Sequence, residues 1–181
     1  MLEDAGIAFR AMPSHVDETV LKATLAGVAP GVLAASLAEA KAAAIAAVRP
    51  DDWIIGADQV LACEEQLYDK PADRAAARAQ LQALRGRTHV LHTAACLMRG
   101  DTVFWAGIET PGLTMRAFTD AFLDAYLDRE GDAVLSSVGA YRVEGPGIQL
   151  FDRIDGDQHA IRGLPMLGLL AALRSHGVVA S

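Results

Sequence analysis

The alanine-rich run LAASLAEAKAAAIAAV, residues 33 to 48, constrains this chain more than any other feature. It is dense in strong helix formers and contains no Gly or Pro, while Pro30-Gly31 stands before it and Pro50 closes it. A few residues later Trp53 to Ala57 reads as a buried strand that stops on Asp58-Gln59. Helices and strands interleave in this way along the chain, which points to an α/β arrangement. A strand that ends on a carboxylate, with Lys70-Pro71 soon after it, also suits a metal-bound anion. The carboxylate can hold Mg²⁺ or accept a proton, and the lysine can neutralise a phosphate.

The remaining punctuation extends this pattern. Leu33, Leu37, Ala40, Ala44 and Ala47 recur at helical spacing, which turns Glu39 and Lys41 toward the polar side. Residues 72 to 85 form a second helix between Pro71 and Gly86. Thr88 to Met98 and Thr102 to Phe118 read as strands joined through Arg99-Gly100-Asp101, the second interrupted at Pro111-Gly112. Thr119 can cap a helix over Asp120 to Arg129 that buries Phe122, Leu123, Tyr126 and Leu127 and ends at Gly131. Short strands are expected within 138 to 162, and Gly163-Leu164-Pro165 opens a last helix to about Arg174. The hairpin makes the sheet mixed, not wholly parallel. The opening LEDAGIAF reads as the tail of a helix.

Composition excludes several classes. With 52% hydrophobic and 22% charged residues in 181, disorder is not expected and a substantial core can be buried. A net charge of −7 without a Lys/Arg cluster excludes a nucleic-acid polymer as partner, though not a small nucleotide. No signal peptide or apolar run of membrane-spanning length is present, and Cys63 and Cys96 form no CxxC pair, so a reduced cytoplasmic protein without a membrane partner is expected. His89 and His92, three apart on a strand, point to opposite faces and do not share a metal. Gly145-x-Gly147 is not a dinucleotide fingerprint, and Ser136-Ser137 lacks a nucleophile elbow.

Taken in order, Asp17-Glu18 in PSHVDET, Lys41 in LAEAKAAA, Asp58 in GADQV, Lys70 in DKP and the segment GAYRVEGPGIQLFDRIDGDQHAIRGLP resemble the Maf family of nucleoside triphosphate pyrophosphatases, from Leu2 to about Arg174. The resemblance implies a mixed, strongly curved sheet flanked by helices, with two lobes around a cleft. It implies metal-dependent hydrolysis of a nucleoside triphosphate to monophosphate and pyrophosphate, with Mg²⁺ or Mn²⁺ as cofactor. The role implied is removal of modified nucleotides, with a link to septum formation and division arrest. On this reading Asp58 accepts the proton, Glu18 and Asp58 hold the metal, and Lys41 and Lys70 contact phosphates. Gln59 and Glu144 sort substrates, and Gln with Glu at these positions resembles the branch acting on 7-methyl-GTP more than the branch acting on dTTP and UTP. A carboxylate at 144 can accept the paired N1–H and N2–H₂ donors of guanine and complements the charge of a 7-methylated base.

The chain is expected to be a single domain over 1–181, shortened at its N-terminus, because the family's Ser-x-Ser-x-x-Arg phosphate loop would precede MLEDAGIAF. That expectation motivates an alternative: a division-linked nucleotide-binding or regulatory protein with little or no turnover. A second copy of the chain is a candidate partner, as a homodimer.

Overall fold

The computed structural model describes residues 1–180. It is a mixed α/β fold with a six-stranded open sheet ordered β2-β1-β3-β5-β6, in which β4 also pairs with β3. The strands are β1 (Ile54–Cys63), β2 (Gln66–Tyr68), β3 (Thr88–Arg99), β4 (Thr102–Glu109), β5 (Gly112–Met115) and β6 (Phe151–Asp155). The helices are α1 (Glu18–Thr24), α2 (Pro30–Ala46), α3 (Arg74–Leu84), α4 (Asp120–Glu130), α5 (Gln158–Ile161) and α6 (Met166–Ser175). The β1–β2, β3–β4, β3–β5 and β5–β6 pairings are antiparallel.

Two compact units emerge. The first comprises Met1–Asp58, Thr93–Glu109 and the chain from Gly163 onward; the second comprises Gln59–His92 and Thr110–Arg162. In the first, α6 buries Met166, Leu169, Ala172 and Leu173 against Ala95 and Leu97 of β3, with Trp53, Ile55 and Trp105 packed around them. Ala42, Ala46, Cys96 and Met98 form a smaller cluster. In the second, Leu81 and Leu84 of α3, Leu123, Tyr126 and Leu127 of α4, and Leu61, Leu91, Leu113 and Met115 of the strands make a larger core.

The boundaries of α2, α4 and α6 agree with their punctuation, and Thr119 Oγ1 accepts from Phe122 N as a cap should. α3 is capped by Asp73, whose carboxylate accepts from Ala76 N, so the helix starts at Arg74, two residues later than Pro71 implied. The interruption at Pro111 divides the second predicted strand into β4 and β5. It neither adds nor removes a residue, because Thr93 pairs with Glu109, Val90 pairs with Gly112, and Leu91 N still donates to Pro111 O.

Three expectations are corrected. The strand does not stop at Asp58: β1 continues to Cys63, with Val60 to Cys63 buried. The true stop is Glu64-Glu65, where Glu64 takes φ 55° and turns the chain into β2, a strand too short to announce itself. The glycine-rich 138–162 segment forms 3₁₀ turns over Val138–Ala140 and Pro146–Leu150 and only one strand, β6, because positive-φ or closely packed residues interrupt every longer extended run. The buried stripe of α2 is Leu33, Ala34, Leu37, Ala38, Ala42 and Ala46, not the stripe through Ala40, Ala44 and Ala47, since alanine at nearly every position erases the contrast that marks a face. The opening residues form one turn closed as a helix C-terminus is, in keeping with the sequence: Ala5 N donates to Met1 O, Gly6 N to Glu3 O and Ile7 N to Leu2 O, with Gly6 at φ 73°.

Candidate active site

Gly56 sets the site's geometry. A Cβ there would lie 2.2 Å from the Ala38 carbonyl oxygen and 2.8 Å from the Ala42 Cβ, so only glycine lets α2 settle this close to β1. Residues two apart on a strand share a face, so Asp58 faces the same helix as Gly56. On α2, Lys41 lies one turn from Ala38 and beside Ala42, which brings its ammonium to Asp58. The Lys41 Nζ donates to Asp58 Oδ1 at 2.5 Å and lies 2.7 Å from Glu18 Oε1. Glu18 opens α1, whose N-cap Asp17 accepts from the amides of Thr19 and Val20.

The three groups are graded in exposure: the side chain of Asp58 is 10% exposed, that of Lys41 24% and that of Glu18 41%. Burial pushes the Asp58 carboxyl above its ordinary value despite the opposing Lys41 ammonium. Burial disfavours the Lys41 charge, but hydrogen bonds to Asp58 and Glu18 outweigh it and hold the ammonium above its usual value. At Glu18 a smaller burial penalty is overcome by Lys41 and Lys22, and its carboxyl falls below the ordinary range. The result is a permanently charged lysine between a firmly ionised glutamate and an aspartate with raised proton affinity. This distribution suits an aspartate that takes up a proton.

Among the described residues no three His, Cys, Asp or Glu side chains converge as a metal cage. Glu18 and Asp58 do fit a hard divalent ion of the Mg²⁺ kind, which binds one or two carboxylates and completes its shell with phosphate oxygens and water.

The other sequence candidates lie in the second unit. Lys70 is exposed between β2 and α3. Glu144 is exposed in the turn before Gly145. That turn is braced from beneath: Arg142 Nε donates to Glu130 Oε2 at 3.1 Å, the Glu130 side chain is only 3% exposed, and a Cβ on Gly147 would meet the Arg142 carbonyl oxygen at 2.5 Å. Gln59 is engaged structurally, its amide donating to the carbonyls of Ala160 at 2.9 Å and Ile161 at 3.1 Å and closing the end of α5.

Two features escaped sequence reasoning. Lys22 reaches 3.6 Å from Glu18 Oε2, and an i,i+4 Glu–Lys pair behind the Asp17 cap was the available signal. The Glu130–Arg142 pair had no local signal, since its partners are twelve residues apart across irregular chain. His89 is buried with Nε2 2.7 Å from the Tyr141 hydroxyl, and Tyr141 is itself a core residue. Cys63 and Cys96 are free and buried, and no helix among the described residues is long and apolar enough to cross a membrane.

Residues 1–176 match the family described as Maf-like protein. A "Nucleoside triphosphate pyrophosphatase" of Granulibacter bethesdensis is 47% identical over 97% of this chain and 90% of its own length. One of the same name from Paramagnetospirillum magneticum is 48% identical over 98% of this chain and 92% of its own. A "7-methyl-GTP pyrophosphatase" of Rhizobium meliloti is 43% identical over 99% of this chain and 91% of its own. Near full-length agreement at this identity, joined to the Glu18–Lys41–Asp58 constellation on a curtailed glycine–alanine helix packing, means that the chain belongs to the Maf family.

Proposed function

We propose that the protein hydrolyses nucleoside triphosphates to nucleoside monophosphate and pyrophosphate. The observation that carries this reading is the part-buried Asp58 carboxylate paired with Lys41, which also pairs with Glu18, in a chain whose near full-length relatives bear that activity's name. Water attacks the α-phosphorus, an oxygen–phosphorus bond forms, and the bond to the bridging oxygen breaks, releasing pyrophosphate. Asp58, with its raised proton affinity, takes the proton from water. Lys41 orients that carboxylate and, with the exposed Lys70, supplies positive charge toward the phosphates. A divalent cation, Mg²⁺ or Mn²⁺, held by Glu18 and Asp58 would neutralise charge on the phosphate chain.

The preferred base is that of 7-methyl-GTP. The exposed Glu144 carboxylate, on a turn braced by Arg142 and Glu130, supports this, because a rigidly held anion can accept two adjacent guanine donors and favour a cationic base. Gln59 contributes by fixing α5, not through its occupied amide donors. Pyrophosphate release over a panel of 7-methyl-GTP, GTP, dTTP and UTP with Mg²⁺ or Mn²⁺ tests both levels. No release from any nucleotide refutes the hydrolase. Faster release from dTTP or UTP refutes the base preference alone. Glu144→Gln with Gln59→Thr should erode the preference by about one to two orders of magnitude, as loss of a hydrogen bond to a charged group implies.

A further inference from the structure

We infer that Lys41 is a displaceable counter-ion, which keeps the Glu18–Asp58 pair closed to free divalent cations and makes the metal–nucleotide complex, not the free nucleotide, the species that binds. The inference rests on the hydrolase reading and specifies its substrate. The Lys41 Nζ lies 2.5 Å from Asp58 Oδ1 and 2.7 Å from Glu18 Oε1, the place between the two oxygens that a shared ion would take. An ion at its usual distance of about 2.0–2.1 Å from those oxygens would be pressed against the ammonium, so the two cations exclude each other there. Lys22 lies 3.6 Å from the other oxygen of Glu18, so the two carboxylates face two ammonium groups and offer a free dication little net charge. Asp58 is enclosed, while Glu18 is two-fifths exposed, so the approach to the pair runs past Glu18.

A triphosphate changes this balance. It competes for the ammonium with several negative oxygens, and the flexible four-carbon stem of lysine lets the head group move to them without moving α2. The carboxylates thereby become available to an ion that arrives already bound to phosphate oxygens. Lys41 then serves one function before binding and another after it.

Mn²⁺ binding to the whole chain, followed by the electron paramagnetic resonance signal of the free ion, tests the idea apart from turnover. Mn²⁺ alone should bind the wild type weakly, and Lys41→Met should bind it at least about tenfold more tightly, since a neutral side chain of similar length no longer occupies the position. Adding Glu18→Gln to Lys41→Met should remove the gain. Thermal melts provide the second readout: Mn²⁺ alone should leave the wild-type midpoint unchanged, and Mn²⁺ with an α,β-methylene triphosphate should raise it. If Lys41→Met does not fold, Lys41→Gln takes its place. Equal Mn²⁺ affinity for wild type and the Lys41 variant, a gain that survives Glu18→Gln, or tight wild-type binding of Mn²⁺ alone would overturn the inference. The two readings fail separately: a protein that releases pyrophosphate but whose Mn²⁺ affinity ignores Lys41 loses only this one, whereas a Lys41-dependent affinity without turnover loses the hydrolase.

Discussion

The two units treat charge in opposite ways. In the first, Glu18, Lys41 and Asp58 are brought together without any bulky apolar side chain at the contact: Gly56, Ala38 and Ala42 bring helix and strand together, and the charges take the remaining space. In the second, a leucine and aromatic core is closed around polar groups that fasten the chain. Arg142 is locked to the covered side chain of Glu130, Gln59 to the end of α5, and neutral His89 to Tyr141. One unit spends burial on raising the proton affinity of a carboxylate, and the other on holding loops. The difference teaches that a perturbed ionisable group marks chemistry only when it is also reachable. Burial pushes the His89 imidazole from 6.5 down to about 4, yet His89 is sealed in the core, while Asp58 opens onto Glu18.

The sharpest way to break this contrast is Asp58→Asn. The amide keeps the shape of the carboxylate but cannot accept a proton, so pyrophosphate release should fall by about 10²–10⁴-fold while the circular dichroism spectrum is retained. Near wild-type turnover would remove Asp58 from the chemistry and the contrast with it.

His89 provides the next test, by pH. Burial lowers its folded-state pKa from 6.5 to about 4. A base with a depressed folded pKa contributes stability that is complete above the unfolded value and is lost as pH falls, because the unfolded chain takes up the proton first. Unfolding free energy should therefore drop between pH 6.5 and about 4, by on the order of 3 kcal/mol from this group, and the drop should be smaller in His89→Gln. Urea melts at pH 7.5 and 4.5 measure it, and identical pH dependence in the two proteins would show that His89 is not the neutral fastener described.

Gly56→Ala should destabilise by about 1–3 kcal/mol, the usual penalty for forcing atoms into a packed contact, and should lower kcat because α2 must retreat and take Lys41 with it. Unchanged urea stability would mean that the close approach is not what places the lysine. Gln59→Thr should have the smallest effect, about 1–2 kcal/mol from two lost bonds to the Ala160 and Ile161 carbonyls, read as a lower melting temperature. No change would return Gln59 to a direct role in base selection.

Much of this protein is settled by local rules. Pro30, Pro50, Thr119, Gly131 and Pro165 determined where helices begin and end, because proline and glycine restrict or free the backbone and a threonine hydroxyl satisfies an orphan amide wherever it stands. The alternation of residues along β1 likewise determined that Asp58 and Gln59 serve different faces. Tertiary structure decided the rest. Asp58 reads as a strand end because an unpaired charge would be expensive inside a sheet, and only the arrival of Lys41 from seventeen residues away makes its interior position affordable. The buried stripe of α2 could not be read from a run of alanines, since what selects it is the absence of a side chain at Gly56. The Glu130–Arg142 brace under Glu144 joins positions with no shared periodicity, so their pairing exists only once the 3₁₀ turns between them have folded. Sequence sets which conformations each residue can adopt at little cost; which charges can be buried depends on the partners that folding brings to them.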